Sequence, residues 1–93
     1  MLFTWDPKKA ATNLRKHKVS FDEARTVLLD PFARTFGDPD HSLSERRSIA
    51  IGTSNRHRVV FVSHADGRDY WVRIISARTA TAVERHAYQE PEV

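Results

Sequence analysis

Three strand-like runs joined by connections too short for anything but hairpins set the limits on what this chain can become. Residues Arg46 to Thr53, Val59 to His64 and Tyr70 to Ser76 carry the apolar and β-branched side chains of strands. Thr53-Ser54-Asn55-Arg56-His57 and Ala65-Asp66-Gly67-Arg68-Asp69, which join them, are short, polar and rich in turn formers. Parallel neighbours would need crossovers of about a dozen residues or more, so the runs must pair antiparallel. With Phe32 to Gly37 in front of them, they predict a four-stranded meander.

Helical signals flank that meander. Leu2 to Trp5 reads as a short strand, and Asp6-Pro7 then offers an N-cap side chain followed by proline at the first helical position. The helix predicted from Pro7 to His17 places Ala10, Ala11 and Leu14 at helical spacing, with Lys8, Lys9, Arg15 and Lys16 around the rest. Ser20-Phe21-Asp22-Glu23 has the form of a capping box, opening a second helix that buries Phe21, Ala24, Val27 and Leu28 before Asp30-Pro31 stops it. A last helix is expected from about Thr79 to Gln89, where Thr81 and Glu84 are spaced as another capping box and Pro91 closes the element. The fold class is therefore α+β: an N-terminal strand and a two-helix hairpin packed on an antiparallel meander sheet, with a C-terminal helix. One domain over residues 1–93 is expected, since no linker, repeat or low-complexity segment interrupts it.

Composition narrows the partners. The chain has 40% hydrophobic and 29% charged residues, and eleven of its fifteen basic residues are arginine. Its pI is near 9.7, which points to anionic partners and to nucleic acid first. No apolar run is long enough to span a bilayer, and the opening residues lack the layout of a signal peptide, so a cytoplasmic protein without membrane contact is expected. There is no cysteine, which excludes disulfides and thiolate metal sites. The five histidines, at 17, 41, 57, 64 and 86, show no paired helical spacing, and the three glycines are isolated. Neither a metal nor a nucleotide cofactor is expected.

Arg73 is the unusual residue. A guanidinium among Trp71, Val72, Ile74 and Ile75 needs an anion, because an unpaired charge is expensive to bury. Strict alternation would put Trp71, Arg73, Ile75 and Ala77 on one side of the strand, with Arg78 just beyond its end. Arginines at a strand exit beside an aromatic ring suit a phosphate backbone and a stacked base.

Several segments together resemble the BrnT toxins: Phe3-Thr4-Trp5-Asp6, Lys16-His17-Lys18-Val19-Ser20-Phe21-Asp22-Glu23-Ala24, Asp40-His41-Ser42 with Glu45-Arg46, Ile51-Gly52, and Arg73-Ile74-Ile75-Ser76-Ala77-Arg78. The resemblance runs over nearly the whole chain, and Arg-Ile-Ile-Ser-Ala-Arg is its most specific element. It implies a RelE-like fold and RNA cleavage that blocks translation, in a bacterial type II toxin-antitoxin module. It further implies neutralisation by a BrnA antitoxin, whose ribbon-helix-helix domain would carry any binding of operator DNA. The family usually has glycine after Lys-His, where this chain has Lys18. If Lys18 closes the helix in a left-handed conformation, it costs about 1 kcal/mol relative to glycine.

Cutting RNA without a metal takes a base for the 2′-hydroxyl, cations on the phosphorane and an acid for the departing 5′-oxygen. Arg73 is the first candidate for the cation, followed by Arg78 and Arg46; the competing role for Arg73 is an ion pair with Glu45 or Asp69. Glu45 is a candidate base or an orienting carboxylate, and His41 a candidate proton carrier, with His64 as the lesser alternative. Lys16, Lys8 and Lys9 are candidate RNA contacts, in keeping with the basic residues that RelE-like toxins frequently use. Trp5 and Trp71 are candidate stacking platforms, although a short chain needs its tryptophans for the core. A basic module that binds without cutting, or a degenerate toxin acting only in a repressor complex, would present the same charges.

Overall fold

The computed structural model describes residues 1–38, 46–67 and 69–90. In chain order the elements are β1 (Leu2–Thr4), α1 (Pro7–His17), α2 (Phe21–Leu28), β2 (Arg34–Gly37), β3 (Arg47–Thr53), β4 (Val59–Asp66), β5 (Trp71–Thr79) and α3 (Ala82–Gln89). The four later strands form the expected antiparallel meander, and β1 joins its edge in parallel with β5, giving the order β1-β5-β4-β3-β2. Helices α1 and α2 pack on one face, where Val19, Phe21, Ala24, Val27, Val60 and Val62 are all but inaccessible to solvent. Burying a side chain of this kind stabilises the fold by roughly 1.5–3 kcal/mol. Helix α3 lies on the other face, where Thr53 Oγ1 and the Tyr88 hydroxyl are 3.2 Å apart and Arg34 Nη2 donates to the Glu90 carbonyl at 3.2 Å.

The first helix departs from its apolar pattern. Ala10 is half-buried, but Ala11 and Leu14 are exposed, and the buried residue of α1 is Asn13. Its amide nitrogen donates to the carbonyls of Val19 and Ala77 at 2.9 and 2.8 Å, and its oxygen accepts from the Ala77 N–H at 3.0 Å. β1 pairs with Trp71 to Arg73, and beyond it no strand among the described residues lies beside the outer edge of β5. One side chain there stands in for a strand and satisfies backbone groups that burial would otherwise orphan.

Asp6 caps α1 as expected, its side chain accepting from Lys8 N at 2.8 Å. The helix ends at Lys18, which is left-handed with φ 60° and ψ 28° and returns its N–H to the Leu14 carbonyl at 3.0 Å. Lysine there carries the Cβ penalty that glycine avoids. Lys18→Gly is therefore expected to raise stability by about 0.5–1 kcal/mol, part of the gain being returned through the freer unfolded chain. A thermal melt would show this as an upward shift of a few degrees, and a fall would refute the strain argument.

Ser20 caps α2 by accepting from Glu23 N at 3.0 Å, but the reciprocal half of the capping box is missing. Glu23 turns inward instead, taking Ser54 Oγ at 2.7 Å and both Nε and Nη2 of Arg58, which clamps α2 to the β3–β4 turn. Burial pushes its carboxyl up, yet the hydrogen bonds from Arg58 and Ser54 win and hold it below the usual carboxylate range. After α2, Asp30 accepts from Phe32 N, Thr53 N and the Tyr88 hydroxyl at 2.9, 2.8 and 2.6 Å. That turn delays β2 to Arg34 and leaves Phe32 exposed, where the sequence predicts strand. Gly52 allows this packing: a Cβ there would sit 3.0 Å from both Ala33 Cβ and Asp30 Oδ2.

The last helix starts later than expected, because β5 runs on to Thr79 in register with Val60. Thr81 is the N-cap and Glu84 completes a full capping box.

Candidate active site

One extra residue in β5 shapes the candidate site. Ser63 pairs with Ser76, but the next residue of β4, His64, pairs with Ile74, so Ile75 bulges out of the ladder. Strict alternation fails at that point. Val72, Ile74 and Ala77 all face the helices and are buried, while Trp71, Arg73, Ser76 and Arg78 face the other way. Arg78 stands five positions after Arg73, an odd offset that would send them to opposite faces of a regular strand. The bulge returns them to one face. It also corrects one expectation, since Ala77 does not share a face with Arg73; a second is corrected by the ladder with β4, which continues to Thr79 and so keeps Arg78 within the strand.

Cross-strand register adds a third arginine. Arg73 and Arg47 both pair with Ala65, one from each side, and Thr4 pairs with Arg73 on the outer strand. Thr4, Arg73, Ala65 and Arg47 thus form a row across four strands. Two strand spacings put the Arg73 and Arg47 backbones ~10 Å apart, with only a methyl group between them. Both arginines are half-buried, and each already makes an interaction within the chain. Arg47 was legible only through the register, since the sequence favours its exposed neighbour Arg46, which precedes β3.

Arg78 is differently engaged. Its two terminal nitrogens donate to the Glu84 carboxylate at 2.7 and 2.9 Å, and its guanidinium lies 4.1 Å from the centre of the Phe61 ring. The Arg78 fork holds the Glu84 carboxyl down at about 2, against the opposing effect of burial. The same hydrogen bonds push Arg78 up. As it stands, this guanidinium fastens α3 to the sheet.

The remaining candidates separate clearly. Trp5 is half-buried and meets Phe21 edge to face, with ring centres 6.0 Å apart, so it belongs to the core. Trp71 is exposed, two residues from Arg73 on the same face. Lys8, Lys9 and Lys16 line a groove of about 320 Å³ between α1 and the bulged Ile75. Glu45 and His41 lie outside the described residues. His64, the lesser alternative, is buried inside β4 on the helix-bearing side and is not part of the arginine row. Among the described residues no group of three histidines, cysteines or carboxylates could hold a metal ion, and no helix is long and apolar enough to cross a membrane.

Comparison with known proteins identifies the family. The family model described as the ribonuclease toxin BrnT of type II toxin-antitoxin systems matches residues 5–84. A search of curated proteins finds no match. Among solved structures, the 1.1 Å crystal structure of the Brucella abortus ribonuclease toxin BrnT superposes with a TM-score of 0.66 at 25% identity, covering 87% of this chain and 99% of that one. The matched segment takes in β3, β4, β5 with its bulge, and the Glu84 that fastens Arg78, and this chain belongs to the BrnT family of type II ribonuclease toxins.

Proposed function

We propose that the arginine row is where this toxin cuts RNA, by a metal-independent transfer within the substrate. The observation that carries the reading is the Ile75 bulge, which puts Arg73 in register with Ala65 and so in one row with Arg47, on the face away from α1 and α2 that Trp71 shares by ordinary alternation. The 2′-hydroxyl gives its proton to a base, and its oxygen bonds to the adjacent phosphorus. The bond from phosphorus to the 5′-oxygen breaks, and that oxygen takes up a proton. The products are a 2′,3′-cyclic phosphate and a 5′-hydroxyl. Arg73 bonds two equatorial oxygens of the phosphorane and Arg47 offsets the remaining charge, because planar forks match that geometry. Glu45 and His41, just ahead of Arg47 in the chain, supply the base and the acid. Trp71 stacks a base beside the scissile phosphate. Arg78 supports the site by fixing α3, while Arg46 and the lysines of α1 add electrostatic attraction.

Cleavage of cellular RNA would block translation in the cytoplasm. Neutralisation falls to a BrnA-like ribbon-helix-helix antitoxin, through which alone the complex would bind operator DNA. Incubating purified protein with RNA in EDTA tests the chemistry. Fragments ending in 5′-hydroxyl groups are expected, and intact RNA at excess protein would refute it. RNA that is bound but never shortened would identify a binding module or a degenerate toxin instead.

A further inference from the structure

The register of the sheet orders the face that carries Arg73 into parallel rows. The first is Thr4, Arg73, Ala65 and Arg47. The second is Ser76, Ser63, Ile49 and Phe36, and the third is Arg78, Phe61, Ile51 and Arg34. Helix α3 covers the third row and is fastened at both ends of it, by Glu84 to Arg78 and by the Glu90 carbonyl to Arg34. The second row therefore lies between α3 and the arginines. Along β3 and β4 successive rows are two residues apart, or ~7 Å.

The fold makes little use of the second row. Ser76 is exposed and Ser63 half-buried, and among the described residues no hydrogen bond engages either hydroxyl. Ile49 is half-buried, and Phe36, on the edge strand β2, leaves 47% of its surface in water. A ring so exposed forfeits much of the free energy that its burial would return. The row thus has two chemical halves. Hydroxyls able to donate and accept stand beside Arg73, and an apolar floor ending in an aromatic ring stands beside Arg47.

We propose that this row is a nucleoside subsite of the RNA site. A base stacks on Phe36 above Ile49, its ribose hydrogen-bonds the Ser63 hydroxyl, and the phosphate joined to that ribose sits over Ala65 between Arg73 and Arg47. Ser63 is two residues from Ala65 on β4, and Ile49 and Phe36 lie one and two strands beyond Ser63. Phosphate, sugar and base therefore step away from the arginines in the order in which a nucleotide carries them. Trp71 precedes Arg73 on β5, on the opposite side of the arginine row from Ser63, and takes the neighbouring base. Two aromatic platforms then straddle the scissile phosphate. Stacking tolerates every base but holds the larger face of a purine more tightly, so the subsite favours a purine. The inference rests on the arginine row being where RNA is cut, and it adds which groups hold the nucleoside beside the cut.

Short 2′-deoxy oligonucleotides carrying a single ribonucleotide, one for each base, present one cleavable bond each and test it. Phe36→Ala should lower kcat/KM by roughly 5–100-fold, the usual effect of removing a stacking ring. Phe36→Trp should match or exceed the wild-type rate, and Phe36→Leu should resemble alanine although it keeps apolar volume. Ser63→Ala should lower kcat/KM about fivefold, the loss of one hydrogen bond. The decisive comparison removes the base from one nucleotide flanking the cut. At one of the two flanks, wild-type protein should lose what Phe36→Ala loses on the intact probe, and Phe36→Ala should lose nothing further. A merely structural role for Phe36 would make the two losses multiply at both flanks, and that result would overturn the proposal. So would a Phe36→Ala or Phe36→Leu protein as fast as wild type. The all-deoxy form of each probe cannot be cut, and its Kd, read by fluorescence anisotropy, should show the same pattern. If wild-type protein leaves every ribonucleotide probe intact, the cutting site falls, while the Kd series still decides for or against the subsite.

Discussion

Arg73→Ala is expected to slow RNA cleavage by roughly 10²–10³-fold, the usual loss when one preorganised donor to a developing oxyanion is removed. Arg73→Lys should recover only part of it, because an ammonium keeps the charge but cannot bond two phosphorane oxygens in one plane. Arg47→Ala should act in the same direction. The double variant should lose less than the product of the single losses, since Arg73 and Arg47 flank Ala65 and serve one group of oxygens. Arg78→Ala is the discriminating comparison. It strands Glu84, whose carboxyl Arg78 holds at about 2, so its main effect should be on the melting temperature. Each variant therefore needs a melt beside its rate. A folded Arg73→Ala protein that cuts RNA at the wild-type rate would remove the basis of the proposed mechanism.

The contrast between Arg73 and Arg78 shows how far the sequence could be read. Hairpin lengths and alternating apolar residues specify β3, β4 and β5 because burying one face of a sheet imposes a period of two. They say nothing about an inserted residue. Ile75 looks like any other apolar strand residue, and only pairing against β4 reveals that it is skipped. Everything after it therefore changes face relative to the sequence reading, which is why Ala77 moved to the core and Arg78 joined the face of Arg73. Arg47 was obscured for a related reason. Adjacent arginines at 46 and 47 are equivalent in composition, and the ladder with Ala65 tells them apart. Motif resemblance succeeded where periodicity could not, because residues such as Gly52 are fixed by a close approach of Ala33 and Asp30 and not by any local pattern.

Asn13 is the other residue that hydrophobic patterning misjudges, and Asn13→Ala is expected to cost about 3–5 kcal/mol, since each buried backbone group left unpaired forfeits ~1–3 kcal/mol. For a domain of this size that lowers the melting point by roughly 15–30 °C. Leu14→Ala, which the apolar pattern of α1 would rank as the more damaging change, should stay within ~0.5 kcal/mol because Leu14 is exposed. Asn13→Leu separates volume from hydrogen bonding. It fills the space yet leaves the Ala77 N–H and the carbonyls of Val19 and Ala77 without their partner, so it should be nearly as unstable as alanine. Asn13→Asp is also expected to fail, because a carboxylate has no hydrogen to offer those two carbonyls. Hydrogen exchange locates the damage: the Ala77 amide should lose protection by more than its neighbours in β5. Ala77 lies between Arg73 and Arg78 on the strand that carries the site. Local opening there would loosen both guanidiniums at once, so Asn13→Ala assayed well below its melting point should also cleave more slowly, although Asn13 touches neither arginine.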